Sequence, residues 1–331
     1  METSKSGVEI AMQTLFTDTR AYKLLKADAE KSQLGHAYLL LLDDARNLKS
    51  VLKLFAKLLF SCANPYTPSE KRLSDLIDSE SFSDCLFYPQ GDKKFMVEDA
   101  EKIAEESTLK PIEGDKKVFV VCDFADANAV SQNKLLKLLE EPPEGVIFLL
   151  GATTAFPVLS TVLSRVQKLE MPPFDAKQLA ACLSRIYGDD YQKEDYLLCA
   201  SACGGTLGTA QNMLEGGAYK ELLNDVFVLC LTKENGLPAL IKKIGETKKK
   251  KELLSLLRLV FRDALLVKTG AGDKHIFLQA ERVRLEKTAE RYTSAALIKA
   301  QEYIAKAETE TTFNAVFPQC LEVLMSNIYR A

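Results

Sequence analysis

Three short, unbroken apolar runs constrain this chain most: Ala37-Tyr-Leu-Leu-Leu-Leu42, Val118-Phe-Val-Val-Cys122 and Val146-Ile-Phe-Leu-Leu150. A strand with one wet face alternates apolar and polar residues, whereas a continuous run marks a strand covered on both faces. Segments of helical period lie between the runs. Leu48 to Phe60 repeats apolar residues at Leu48, Leu52, Phe55, Ala56 and Leu59, and Val97 to Leu109 does so at Val97, Ala100, Ile103 and Ala104. Asn133 to Glu141 carries Leu135, Leu136, Leu138 and Leu139 and is stopped by Pro142-Pro143. This alternation predicts right-handed crossovers and an α/β domain, a mainly parallel sheet flanked by helices.

Strand signals stop after Pro172-Pro173. Phe174-Asp175 reads as a hydrophobic staple and N-cap for a helix carrying Leu179, Leu183 and Ile186. A second helix runs to about Cys203 and ends at Gly204-Gly205, and a third spans Leu207 to Leu214 before Gly216-Gly217. Helical faces then continue: Leu222, Val226, Leu229 and Cys230; Leu253, Leu256, Leu257, Val260, Phe261 and Leu265; Phe313, Val316, Phe317, Cys320, Leu324 and Ile328. The predicted domains are 1–172 (α/β), 173–216 (small, helical) and 217–331 (helical).

Composition narrows the class. With 331 residues, 47% hydrophobic and 27% charged, the chain has the make-up of a folded globular protein and needs no metal or disulfide staple. Lys plus Arg is 43 against 46 Asp plus Glu, so a wholesale nucleic-acid binder is excluded; the most basic stretch is Lys242-Lys243 with Lys248-Lys-Lys-Lys251, read as a solvated helix end and at most a weak contact to DNA phosphates. The first ten residues lack the apolar core of a signal peptide. The long uncharged run Gly145 to Ser164 holds Gly151, Thr153, Thr154, Pro157 and Ser160, so it reads as strand, turn and short helix, not a membrane span. Eight scattered cysteines without Cys-x-x-Cys predict reduced, buried thiols, and a cytoplasmic setting is expected. Only two histidines occur; His36, opening an apolar strand, is expected to be a satisfied core residue, and no Ser/His/Asp, Cys/His or metal-binding constellation stands out.

Several segments together carry a resemblance: Gly35-His-Ala-Tyr-Leu39, Phe55-Ala-Lys-Leu-Leu59, Leu109-Lys-Pro-Ile-Glu-Gly114, Asn133-Lys-Leu-Leu-Lys-Leu-Leu-Glu-Glu-Pro-Pro143, Gly151-Ala-Thr-Thr154 and Leu163-Ser-Arg165. Over about Gln33 to Phe174 the chain resembles the delta-prime subunits of the bacterial DNA polymerase III clamp loader. The resemblance implies an AAA+ module at 1–172, a helical lid at 173–216 and a helical collar at 217–331. It thins across the lid, and over the last hundred residues rests on helical character alone.

The departures from the family's ATPases are as informative. Their phosphate loop is glycine-rich and ends in Gly-Lys-Ser/Thr, because backbone N–H groups must converge on phosphate. The corresponding stretch here, Leu42-Asp-Asp-Ala-Arg-Asn-Leu-Lys-Ser50, has no glycine. By the resemblance the loop lysine falls on Leu48, with Lys49 and Ser50 just after, while Asp43 and Asp44 lie where phosphate would sit; carboxylates there repel a nucleotide and are able to cap the helix. The Asp-Glu pair after the second strand is replaced by Cys122-Asp123, and a thiol is a poor magnesium ligand, so Asp123 reads as a turn residue. Of the family's four zinc cysteines only Cys62 stands in place, with Cys85 far on, so no zinc is expected. No phosphate-sensing arginine occurs between Gly204 and Glu215, and no cofactor is expected.

Ser164-Arg165 survives. In the family this pair belongs to a Ser-Arg-Cys motif whose arginine reaches a neighbouring subunit's ATP; here Val166 replaces the cysteine with another small group, and Thr153 and Thr154 stand where ATPases sense the γ-phosphate. The resemblance therefore implies a non-hydrolysing stator that offers Arg165 in trans. Its implied partners are gamma/tau-type ATPase subunits and the delta subunit, with the sliding clamp and primer-template DNA met indirectly or weakly, and no membrane. Two alternatives stay open: an ATPase with an atypical phosphate loop, and an AAA+-derived scaffold in another DNA transaction.

Overall fold

The structure is a computed structural model that describes residues 2–62, 67–91, 93–217, 219–272, 275–312 and 315–331. Its contacts divide the chain into two compact units, Met1–Pro173 and Phe174–Ala331.

The first unit opens with helices α1 (Glu2–Thr17) and α2 (Arg20–Glu30) and continues as β1 (Ala37–Leu41), α3 (Leu48–Leu59), α4 (Pro68–Asp78), β2 (Cys85–Tyr88), α5 (Val97–Ser107) and β3 (Lys117–Val121). It closes with α6 (Ala129–Glu140), β4 (Val146–Ala152), α7 (Ser160–Leu163) and β5 (Gln167–Glu170). Among the described residues the sheet has five strands in the order β2-β3-β4-β1-β5, each neighbouring pair parallel. The three apolar runs are its centre, β3, β4 and β1, with Leu39 opposite Leu150 and Phe119 opposite Phe148.

The two added strands are the edges. In β5 only Leu169 is buried and Gln167, Lys168 and Glu170 face solvent, which is how an outer strand avoids pairing with strangers and why no apolar run announced it. Helix α6 starts four residues before the predicted Asn133, because the Asn128 side chain accepts from the Ser131 N–H at 2.9 Å and fixes the first turn there.

One face of the sheet buries Phe119, Phe124, Phe148, Leu135 and Leu139, with the Phe119 and Phe148 rings stacked at 5.6 Å. On the other, α3 lies so close to β4 that a Cβ at Gly151 would stand 2.5 Å from the Leu52 side chain. Leu52 is fully buried, so glycine is what this approach requires.

The second unit is helical throughout its described residues: α8 (Ala176–Tyr187), α9 (Lys193–Ala202), α10 (Leu207–Glu215), α11 (Tyr219–Leu231), α12 (Leu237–Ile244), α13 (Lys250–Lys268), α14 (Arg282–Arg291), α15 (Ser294–Thr312) and α16 (Phe317–Arg330). Asp175 caps α8 as expected, accepting from Lys177 N–H at 2.8 Å. The helices expected at 173–216 and at 217–331 fall in this one unit, with α9 packed on α13. Asp263 is fully buried and accepts from the Phe277 and Leu278 N–H groups, both at 2.8 Å, which ties the 275–278 segment to α13.

Two sequence expectations need correction. His36 is exposed rather than in the core; its Nε2 lies 3.0 Å from the Leu139 carbonyl, so the ring is satisfied at the surface. Val316 is 59% exposed, because it is the N-cap of α16 and precedes the buried face begun by Phe317. Phe313 lies outside the described residues.

Candidate functional site

The candidate site is the end of the sheet where β1, β3 and β4 finish and α3 begins. Between Leu41 and Leu48 the chain makes a tight turn built by Asp44. Its side chain is buried, and one carboxylate oxygen accepts from the Asn47 N–H at 3.1 Å while the other accepts from the Asn47 side-chain amide at 2.8 Å. The Asp44 carbonyl accepts from the Leu48 N–H at 2.9 Å. A helix N-terminus draws anions because its first N–H groups lack partners. Here the chain supplies its own anion to that end. Asp43 beside it is exposed, Leu48 is buried against the core, and Ser50 faces solvent.

Lys49 does not face an open phosphate position. It is the first of three lysines, Lys49, Lys53 and Lys57, spaced four apart on one face of α3. Lys49 and Lys53 each reach Glu80 Oε1 at 2.8 Å, Lys53 also donates to the Asp78 carbonyl at 2.6 Å, and Lys57 meets the Asp78 carboxylate at 2.5 Å. Cations at a helix C-terminus are favourable, and this ladder seats the end of α4. Burial pulls the Glu80 carboxyl upward, but hydrogen bonds and charge from Lys49 and Lys53 outweigh that and hold it below the usual carboxylate range. Sequence reading missed the ladder, although its spacing of four was visible.

At the end of β3, Cys122 is buried, and burial pushes its thiol up to about 12, eased by the Lys49 charge and reinforced by that of Asp123. Asp123 is exposed and left-handed, φ 50°, at the start of a short 3-10 turn over Phe124–Asp126. Burial and then the Asp126 charge raise its carboxyl above the usual value. Cys62 and Cys85 are both buried with raised thiols, and among the described residues no group of three or more His, Cys, Asp or Glu is placed to hold a metal ion.

Arg165 lies between α7 and β5. The approach to it is fixed by the buried Gln132 of α6, whose amide nitrogen donates to the carbonyls of Ala127 (2.9 Å) and Pro157 (3.1 Å) and whose oxygen accepts from the Leu159 N–H at 2.9 Å. Val162 then anchors α7 in the core, and Val166 packs half-buried beside it. The Arg165 side chain keeps 33% exposure. Its Nη1 donates to the Thr161 carbonyl at 2.7 Å and to Ser164 Oγ at 3.0 Å, and its Nη2 meets Glu140 Oε1 at 2.5 Å. Ser164 Oγ in turn donates to the Thr161 carbonyl at 3.0 Å. Thr154 Oγ1 accepts from the Phe156 N–H at 3.3 Å, which turns the chain at the end of β4.

A parallel sheet in this order, with the first strand entering a helix at the sheet's centre, is the AAA+ arrangement. Residues 17–175 match the family model described as DNA polymerase III, delta subunit. Over a longer stretch the chain is similar to the delta-prime subunit of DNA polymerase III from Bacillus subtilis, 26% identical over 273 residues, covering 78% of this chain and 80% of that protein. It is also 32% identical over 158 residues to the tau/gamma subunit of Haemophilus influenzae, covering 47% of this chain and 23% of that protein. The chain thus spans under a quarter of the tau/gamma protein and half of the Buchnera aphidicola gamma subunit that it also matches. Among solved structures, a gamma-subunit-related protein of Thermotoga maritima aligns with 18% identity and a TM-score of 0.40, covering 93% of this chain and 98% of that one. Among the described residues no helix is long and apolar enough to cross a membrane.

Proposed function

We propose that this chain is a non-hydrolysing, delta-prime-like stator of the DNA polymerase III clamp loader. It binds no nucleotide and offers Arg165 to the ATP of a neighbouring gamma/tau-type subunit during sliding-clamp loading. The observation that carries the reading is the Asp44–Asn47 closure of the turn before α3: a buried carboxylate occupies the helix end to which an ATPase would bring phosphate. Lys49, the lysine of that stretch, is engaged by Glu80. Support for Arg165 comes from its partial exposure and from a backbone held by Gln132 and Val162. The expected partners are gamma/tau-type ATPases and the delta subunit, with clamp and primer-template DNA met through the assembly, in the cytoplasm.

Two measurements test this. Calorimetry of the chain with millimolar Mg-ATP should give no stoichiometric heat; an affinity below about 100 µM would refute the closed site. In a reconstituted complex, Arg165→Ala should lower DNA- and clamp-stimulated ATP hydrolysis in part, since other interfaces keep their own arginines, and Arg165→Lys should rescue poorly, because the planar fork matches phosphate oxygens. Unchanged hydrolysis with Arg165→Ala would reduce Arg165 to a surface residue.

A further inference from the structure

We propose that Glu140 is the resting partner of Arg165 and yields it to nucleotide phosphate when a filled neighbouring site arrives. The inference rests on Arg165 acting in trans and adds a residue that governs it. Glu140 is the last residue of α6, in the Leu-Glu-Glu-Pro-Pro run, and α6 is stopped immediately after it by Glu141 and Pro142. Its carboxylate meets the guanidinium at Nη2, while Nη1 is held by the Thr161 carbonyl and Ser164 Oγ. Nη1 thus fixes the side chain to its own helix, and the edge carrying Nη2 is where a second anion competes with Glu140. Both partners are partly exposed, at 33% and 48%, so this is a surface-type pair that shifts an equilibrium by no more than about five-fold. A nucleotide phosphate carries more charge and accepts from the fork in a bidentate way, so it wins the exchange. Glu140 is therefore a positioning residue: it quenches the arginine's charge while no phosphate is present and sets a small threshold for nucleotide at the interface.

The test uses the reconstituted complex with Glu140→Gln, Glu140→Asp, Arg165→Ala and the double variant Glu140→Gln/Arg165→Ala. The readouts are kcat for DNA-stimulated hydrolysis and the ATP concentration at half-maximal rate. Glu140→Gln should lower the half-maximal concentration by about two- to five-fold with kcat little changed, as expected for removal of a competing ground-state contact. Glu140→Asp, which keeps the carboxylate, should stay near wild type. In the Arg165→Ala background Glu140→Gln should do nothing. The proposal is overturned if Glu140→Gln leaves the ATP dependence unchanged, if it lowers kcat as Arg165→Ala does, or if its effect persists without Arg165. If Arg165→Ala alone is silent, the trans-acting reading itself falls, a result distinct from those three.

Discussion

The carboxylate of Asp44 grips Asn47 twice, through the backbone N–H at 3.1 Å and the side-chain amide at 2.8 Å. The grip has a local consequence. Asn47 stands at the N-cap of α3, yet its side chain makes no capping bond to the helix, because it is turned back to Asp44. The turn therefore serves two ends at once: it starts the helix and puts negative charge at its N-terminus. Asp44→Ala should cost about 1–2 kcal/mol, the usual loss for a helix-end carboxylate with buried hydrogen bonds. Urea denaturation of the two proteins measures it.

The approach of α3 to β4 makes a second prediction. Gly151→Ala places a methyl 2.5 Å from Leu52 Cδ1, in a region with no exposure to yield into. Overpacking of this kind costs about 1–3 kcal/mol. Because the clash is with one side chain, the double variant Gly151→Ala/Leu52→Ala should be more stable than the sum of the two single losses implies, and a thermal-denaturation cycle reads that coupling.

Glu80 predicts a pH dependence. Its folded carboxyl lies below the ordinary value, so its contribution to stability is present above the unfolded pKa, near about 4.3, and is lost as pH falls through the lower folded value. Stability measured from about pH 6 down to about pH 3 should fall less steeply in Glu80→Gln than in the wild-type chain. Parallel curves for the two would show that the Lys49 and Lys53 contacts contribute nothing in solution.

The thiols should be inert in the folded chain. All eight cysteines are buried, and burial pushes Cys62 and Cys182 up to about 11 and Cys199 up to about 12. Since the thiolate is the reacting form, a disulfide reagent at about pH 8 should modify the native protein only at the rate of local opening and all eight thiols at once after denaturant is added. A fast native phase of one or more equivalents would contradict the burial.

The sheet's centre was legible because its physical cause is local. A strand covered on both faces must be apolar throughout, so β1, β3 and β4 show themselves in sequence. The edges obey another rule. An outer strand such as Gln167–Glu170 needs one buried residue, Leu169, and polar neighbours, and nothing in four such residues separates it from a loop. The helix stop at Pro142 and the caps Asp175 and Gly204-Gly205 were readable for the same local reason, since each depends on one residue's own φ or side chain.

The candidate site divides in the same way. The sequence alone determined that the turn before α3 lacks glycine and carries carboxylates, and that Ser164-Arg165 follows the third apolar strand and Thr153-Thr154. It could not say which of Asp43 and Asp44 turns inward, because that choice depends on which oxygen can reach Asn47 once β1 and α3 are fixed. Nor did it show that Lys49 is held by Glu80, thirty-one positions on, or that Arg165 rests on Glu140, twenty-five positions back. Ion pairs leave no periodic trace in a chain when their members sit on different elements. Only the packing of α3 against α4, and of α6 against α7, brought those charges within reach, so the tertiary structure decided which charged residues are engaged and which arginine edge stays contestable.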